Sequence, residues 1–207
     1  MYDFHILTIG HLSRKTLCTS VLLRGYLNIL VDPSLEPEEM EKLLYERTGL
    51  RQNNIDVVFV THGHEDHFVG IEHFQRARWF ISRSELEEMK QSADERLLAL
   101  AKKFEPCGPN TATELIAGLD FTPLPGHTPG STGILFNSPD HLGNKVRVCI
   151  CGDAVKTRGH FNQSLGHINS VDSEEALSSI QRIAELADIV VPGHDNYFLT
   201  RSGQNIT

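Results

Sequence analysis

A chain of 207 residues is long enough for one domain with a well-filled core. Apolar residues make up 40% and charged residues 22%, the balance of an ordinary globular protein rather than a disordered or membrane-embedded one. The formal net charge of −8 repels phosphate backbones and argues against a nonspecific nucleic-acid binder.

The first segment, Phe4 to Ile9, predicts a strand. Thr19–Leu23 and Tyr26–Val31 flank Arg24-Gly25 and predict a hairpin. Glu36–Arg47 is charged with periodic leucines, and Pro37 suits a first helical turn. Ile55–Thr61 is a continuous run of β-formers, hence a buried strand, and it ends directly at His62. Trp79–Ile81 predicts a short strand, and Ser84–Phe104 a helix broken near Ser92-Ala93-Asp94. Leu119–Leu124, Gly133–Phe136 and Val146–Ile150 predict strands, the last two joined by a turn running from Asn137 to Asn144. The stretch Arg158–Val171, with Gly159 and Gly166, suits a flap. Asp172 or Ser173 caps a helix running to about Leu186, and Ile189–Val191 is the last strand. The pattern is α/β (α+β), a single domain over residues 1–207, satisfied by two central sheets with helices on both outer faces.

No apolar run approaches the roughly 20 residues that span a bilayer. The opening Met1-Tyr2-Asp3-Phe4-His5 lacks the regions of a secretory signal, so a cytoplasmic protein without a membrane partner is expected. Cys18, Cys107, Cys149 and Cys151 form no C-x-x-C pair and read as buried free thiols, with Cys149 and Cys151 on one face of a strand.

Histidine is the outlier, at 11 residues. His62-Gly63-His64-Glu65-Asp66-His67 places three imidazoles and a carboxylate just past a buried strand, with Gly63 read as the residue that lets the backbone turn tightly. Alternate residues at a strand end aim at one point, and the next turn swings Asp66 and His67 towards a neighbouring one. Nitrogen and oxygen donors in two adjacent groups suit Zn²⁺ or another first-row ion. Three later segments share one grammar of apolar strand, glycine and candidate ligand: Leu124-Pro125-Gly126-His127, Cys151-Gly152-Asp153 and Val191-Pro192-Gly193-His194.

This set resembles the metallo-β-lactamase superfamily over almost the whole chain. The resemblance implies a four-layer αββα sandwich and two divalent metal ions, Zn²⁺ before Mn²⁺ or Fe²⁺. It implies His62, His64 and His127 around one ion, Asp66, His67 and His194 around the second, and Asp153 bridging them. Asp32 is similar to the family's early structural aspartate. The implied chemistry is a hydrolase in which a bridging hydroxide attacks an ester, thioester or lactone carbonyl, with Asp66 and Asp153 as catalytic carboxylates. Histidine at position 64 disfavours a di-iron oxygen reductase, and aspartate at 153 disfavours a true β-lactamase.

The segment His127-Thr128-Pro129-Gly130-Ser131 resembles glyoxalase II and its single-domain relatives. The Asp188–His194 end is similar to a small animal subgroup of the family linked to RNA processing. Homoserine-lactone hydrolases carry tyrosine where this chain has Lys156, which weakens that reading. Lys156, His160 and His167 are candidate substrate-binding residues, with either histidine a candidate proton donor. A small-molecule substrate is expected over nucleic acid. The rival activities are a phosphodiesterase or ribonuclease of the same fold, and a mononuclear-iron persulfide dioxygenase. A metal-binding scaffold without activity fits least, because all seven candidate ligands are present.

Overall fold

The computed structural model describes residues 1–13, 16–108, 116–166 and 168–200. Six strands form the first sheet in the order β1-β2-β3-β4-β5-β6: β1 (Asp3–Ile6), β2 (Val21–Arg24), β3 (Asn28–Val31), β4 (Val57–Phe59), β5 (Arg78–Ser82) and β6 (Phe104–Cys107). The β1–β2 and β2–β3 pairs are antiparallel, and β3 to β6 run parallel. Five strands form the second sheet in the order β11-β10-β9-β8-β7: β7 (Leu119–Pro123), β8 (Thr132–Pro139), β9 (Lys145–Gly152), β10 (Ile189–Pro192) and β11 (Phe198–Leu199). Only β9 and β10 pair in parallel there.

Side-chain alternation divides the core into three layers. Val21, Leu23, Ile29, Val31, Val57 and Phe59 face the second sheet and meet Ile134, Phe136, Val148, Ile150 and Val191 from it. The intervening Leu22, Leu30 and Val58 face the other way and pack on α1 (Pro37–Thr48), α2 (Arg83–Met89) and α3 (Glu95–Ala101). On the far side, Leu135, Cys149, Cys151 and Val190 pack on Ile180 and Ile183 of α5 (Ser173–Leu186), with Phe161 of α4 (Arg158–Gln163) against them. A period of two in strands buried on both faces produces this αββα sandwich. The four cysteines are buried and free, and Cys149 and Cys151 share the outer face.

The helices begin where local chemistry allows. Asp94 caps α3, which explains the break in the long helical pattern, and Asp172 caps α5 through the Glu174 and Glu175 amides at 2.9 Å each. Gly49, at φ 74°, closes α1 in the left-handed region. Phe104 departs from the expected helix and opens β6, because pairing with Trp79 and ring contact at 5.7 Å outweigh helical propensity. The β8–β9 strands are longer than expected, and Asp140 tightens their turn by accepting from the Leu142 and Asn144 amides at 2.8 Å each. Helix α4 and strand β11 carried no sequence signal strong enough to predict them. Among the described residues no helix is long and apolar enough to cross a membrane.

Candidate metal centre

Strands β3 and β4 of one sheet and β9 and β10 of the other deliver their following residues to one edge of the sandwich. Asp32 follows β3 at φ 49°, an unusual backbone for a non-glycine residue. Its buried carboxylate accepts from Thr61 N and Thr61 Oγ1 at 2.8 Å each and from His67 Nδ1 at 2.8 Å. These bonds anchor the chain entering the His62–His67 run and aim His67 Nε2 inward. His194 is oriented the same way, its Nδ1 donating to Leu17 O at 2.8 Å. Holding one ring nitrogen on an oxygen fixes the tautomer and presents the other, as metal-site histidines require.

The glycines before Asp153 and His194 serve close packing of these ends. Gly152 lies at φ 51°, where a Cβ would stand 2.4 Å from Thr61 Oγ1. A Cβ on Gly193 would stand 2.0 Å from Asp153 Oδ1, and Gly193 has no left-handed backbone to explain it. A larger residue at Gly152 pushes against Thr61 of the other sheet, and one at Gly193 displaces the Asp153 carboxylate beside it.

Two donor groups result. His62, His64, His127 and Asp153 bring one donor atom each within 4.8 Å of one another, and so do Asp66, His67 and His194. His64 Nδ1 lies 2.9 Å from His62 Nε2 and 3.0 Å from His127 Nε2. Asp153 stands between the groups. Its Oδ2 is 3.3 Å from His127 Nε2, while Oδ1 is 3.1 Å from His194 Nε2 and 3.4 Å from His67 Nε2. Asp66 Oδ2 is 3.6 Å from His194 Nε2, with about a third of its side chain open to solvent. All seven residues singled out by sequence therefore meet at one edge.

A sequence model described as the metallo-beta-lactamase superfamily matches residues 14–194. The chain belongs to this superfamily. A metallo-beta-lactamase domain-containing protein 1 from Xenopus laevis is 29% identical over 177 residues, covering 84% of this chain and 68% of that one. An N-acyl homoserine lactonase from Bacillus sp is 26% identical over 167 residues, covering 79% of this chain and 65% of that one. A metallo-β-lactamase-type protein from Thermotoga maritima shares the fold, with a TM-score of 0.75 at 19% identity over 96% of this chain and 99% of that one.

The residues of this metallo-β-lactamase edge fit divalent ions. His67 Nε2, His194 Nε2 and Asp153 Oδ1 are buried and converge, yet make no hydrogen bond of sound geometry with one another. Buried polar atoms left unpaired are rare and costly, and a shared cation satisfies all three. The nitrogen and oxygen donor set is that of zinc and other first-row ions. A third grouping, Cys18 with Asp32 and His67, is a structural one. Burial pushes its Cys18 thiol up to about 11, and the thiol leans on Asp32 O at 3.7 Å.

Burial, then the charge on His67, holds His62 well below the usual histidine range, and burial pushes His127 down to about 4. Burial also opposes charge on His67, but the surrounding Cys18, Asp32 and Asp153 outweigh it and hold its pKa well above the ordinary value. Burial would raise Asp153, yet the charge on His67 and the close approach of the His194 and His67 rings keep it far below the carboxylate range. Between pH 6.5 and about 4 the unfolded chain binds protons that folded His127 refuses, so stability of the metal-free protein falls as pH drops, by up to about 3 kcal/mol from His127 alone. Above pH 6.5 folded His67 keeps a proton that the unfolded chain has lost, so stability also falls as pH rises. Urea midpoints across pH are expected to peak near 6.5 without metal, and excess zinc is expected to remove the alkaline decline.

Of the candidate substrate residues, Lys156 reaches the site but pairs with Asp153 Oδ2 at 2.7 Å and is largely buried. His160 stands on α4 with Nδ1 2.7 Å from Thr157 Oγ1, and burial, then the Lys156 charge, lowers its pKa. His167 lies outside the described residues. Sequence reasoning missed Thr61, whose hydroxyl is also 3.2 Å from His62 Nδ1. It also missed Glu85, which nothing sets apart from the other glutamates of its helix.

Proposed function

We propose that this chain is a two-metal hydrolase of ester, thioester or lactone carbonyls. The observation that carries the reading is the two-sided setting of Asp153, with Oδ2 towards His127 and Oδ1 towards His67 and His194. That setting supports a carboxylate shared by one ion on His62, His64 and His127 and another on Asp66, His67 and His194. Zinc is the first choice for these donors, with Mn²⁺ or Fe²⁺ as alternatives. Bound there, such ions would supply Lewis-acid polarisation of a carbonyl and a water acidified towards a pKa of about 7.

The protein's own groups supply the rest. Asp66, the partly open carboxylate, accepts a hydrogen bond from the attacking water and aims it. Lys156, held on Asp153 Oδ2, places an ammonium beside the site that would meet negative charge developing on the substrate. His160, neutral near pH 7, lies on the same side as a candidate proton shuttle. A cavity of about 330 Å³ opens at His64, with Gly63 and Thr128 on the site side and Glu88, Met89 and Leu97 on the α2–α3 side. Met89 and Leu97 suit an acyl or alkyl portion, while Glu88 and the overall charge of −8 disfavour a nucleic acid. The Bacillus lactonase supports carbonyl chemistry, although Lys156 departs from the tyrosine of such lactonases.

Metal analysis and a substrate panel test this. The expected results are two equivalents of zinc or manganese per chain, with turnover of S-lactoylglutathione or a lactone that stops on chelation. One iron per chain, with oxygen consumed on adding glutathione persulfide, would sink the proposal. Turnover of bis-p-nitrophenyl phosphate alone would replace carbonyl with phosphodiester chemistry.

A further inference from the structure

Glu85 lies in the first turn of α2 and is 2% exposed. Its carboxylate is not turned to solvent or spent on the helix. Oε2 accepts from Gly63 N at 2.7 Å, and Oε1 accepts from Gly130 N at 2.9 Å. Gly63 sits between His62 and His64, and Gly130 follows His127 by three residues. One buried carboxylate thus spans the two loops that carry the first donor group. Ser82 steadies α2 from below, its Oγ accepting from Glu85 N at 3.3 Å.

The glycines record the same contact. A Cβ on Gly63 would stand 2.9 Å from Glu85 Oε2, and one on Gly130 would stand 2.7 Å from both Glu85 Oε1 and Ser82 Oγ. Neither glycine adopts a left-handed backbone. Gly63 lies in a bend, as expected, and it is also small so that the carboxylate can come close. Of the second group, Asp66 and His67 follow Gly63 in the same run by three and four residues, but His67 is anchored separately by Asp32, and His194 lies in another segment.

We propose that Glu85 is a positioning residue that sets the spacing of His62, His64 and His127, and with it the affinity of that group for a divalent ion. The inference rests on the two-metal reading above. A carboxylate takes both amides because it has two acceptor oxygens and a charge that strengthens each bond. Glutamine has the same shape but one acceptor, so one amide then faces an NH₂ group. Groups that orient metal ligands typically cost 10–100-fold in metal affinity when altered.

Cobalt titration of the metal-free full chain, followed by visible absorption, tests this. In Glu85→Gln one equivalent is expected to bind 10- to 100-fold more weakly while the other is unchanged. Glu85→Asp keeps two acceptors and is expected to fall between the variant and the wild type. Wild-type affinity for both equivalents in Glu85→Gln would overturn the proposal, and so would equal weakening of both, the mark of a merely structural role. If Glu85→Gln does not fold, Gly130→Ala crowds the same carboxylate from the other side, and the same one-equivalent loss is expected. An uptake of no cobalt by the wild type would overturn the two-metal reading itself, which the variant comparison leaves separate.

Discussion

Asp153→Ala is expected to lose at least one metal equivalent and more than about 10³-fold in turnover. Among the described residues Asp153 is the one whose oxygens face both donor groups, at 3.1–3.4 Å from three imidazole nitrogens. Its removal takes away the negative charge that two cations would share. It also leaves the largely buried Lys156 ammonium facing the same histidines without its partner. Repulsion from that ammonium adds to the lost coordination. Asp153→Asn keeps the shape and one acceptor, and is expected to retain more metal than the alanine variant. Elemental analysis with a steady-state assay reads both effects. Wild-type metal content and turnover in Asp153→Ala would remove the bridging assignment.

Asp32→Ala is expected to destabilise the fold by about 3–5 kcal/mol. The carboxylate is 1% exposed and accepts from three donors: Thr61 N, Thr61 Oγ1 and His67 Nδ1. Truncation leaves all three buried without that acceptor. It also removes a charge that holds His67 in its orientation, so the ion held by Asp66, His67 and His194 is expected to bind 10–100-fold more weakly. The two effects separate by experiment. Urea denaturation of the metal-free protein reads the first, and zinc titration of the folded variant reads the second. A loss below about 1 kcal/mol would mean that water or a rearranged loop replaces the carboxylate.

The fold was legible wherever the local pattern was strong. The strand before His62, the hairpin and the capped helix after Asp172 all appear, though the strands are shorter than the pattern, and the hairpin turns over residues 25–27 with Arg24 inside β2. The short elements were not legible. Strand β6 opens on Phe104 at the end of a helix-forming stretch, and only its pairing with β5 makes it a strand. Helix α4 occupies part of a glycine-containing stretch that reads as a flap, because six residues carry too little periodicity to reveal it.

The donors of the His62–His67 run, His127, Asp153 and His194 were readable because metal chemistry restricts residue type, and because strand ends followed by glycine leave a local mark. What each glycine does was not readable. Gly152 and Gly193 admit Thr61 and the Asp153 carboxylate, and Gly63 and Gly130 admit Glu85, all contacts made across space.

Sequence by itself determined the inventory: two sheets between helices, seven candidate ligands and the family to which they belong. Tertiary structure alone decided that Asp153 faces both donor groups and that Glu85 joins two ligand loops lying 22 and 45 residues from it. The reason is physical. Residue type and local period are written along the chain, whereas a carboxylate's partners depend on distances between segments that meet only when the two sheets pack.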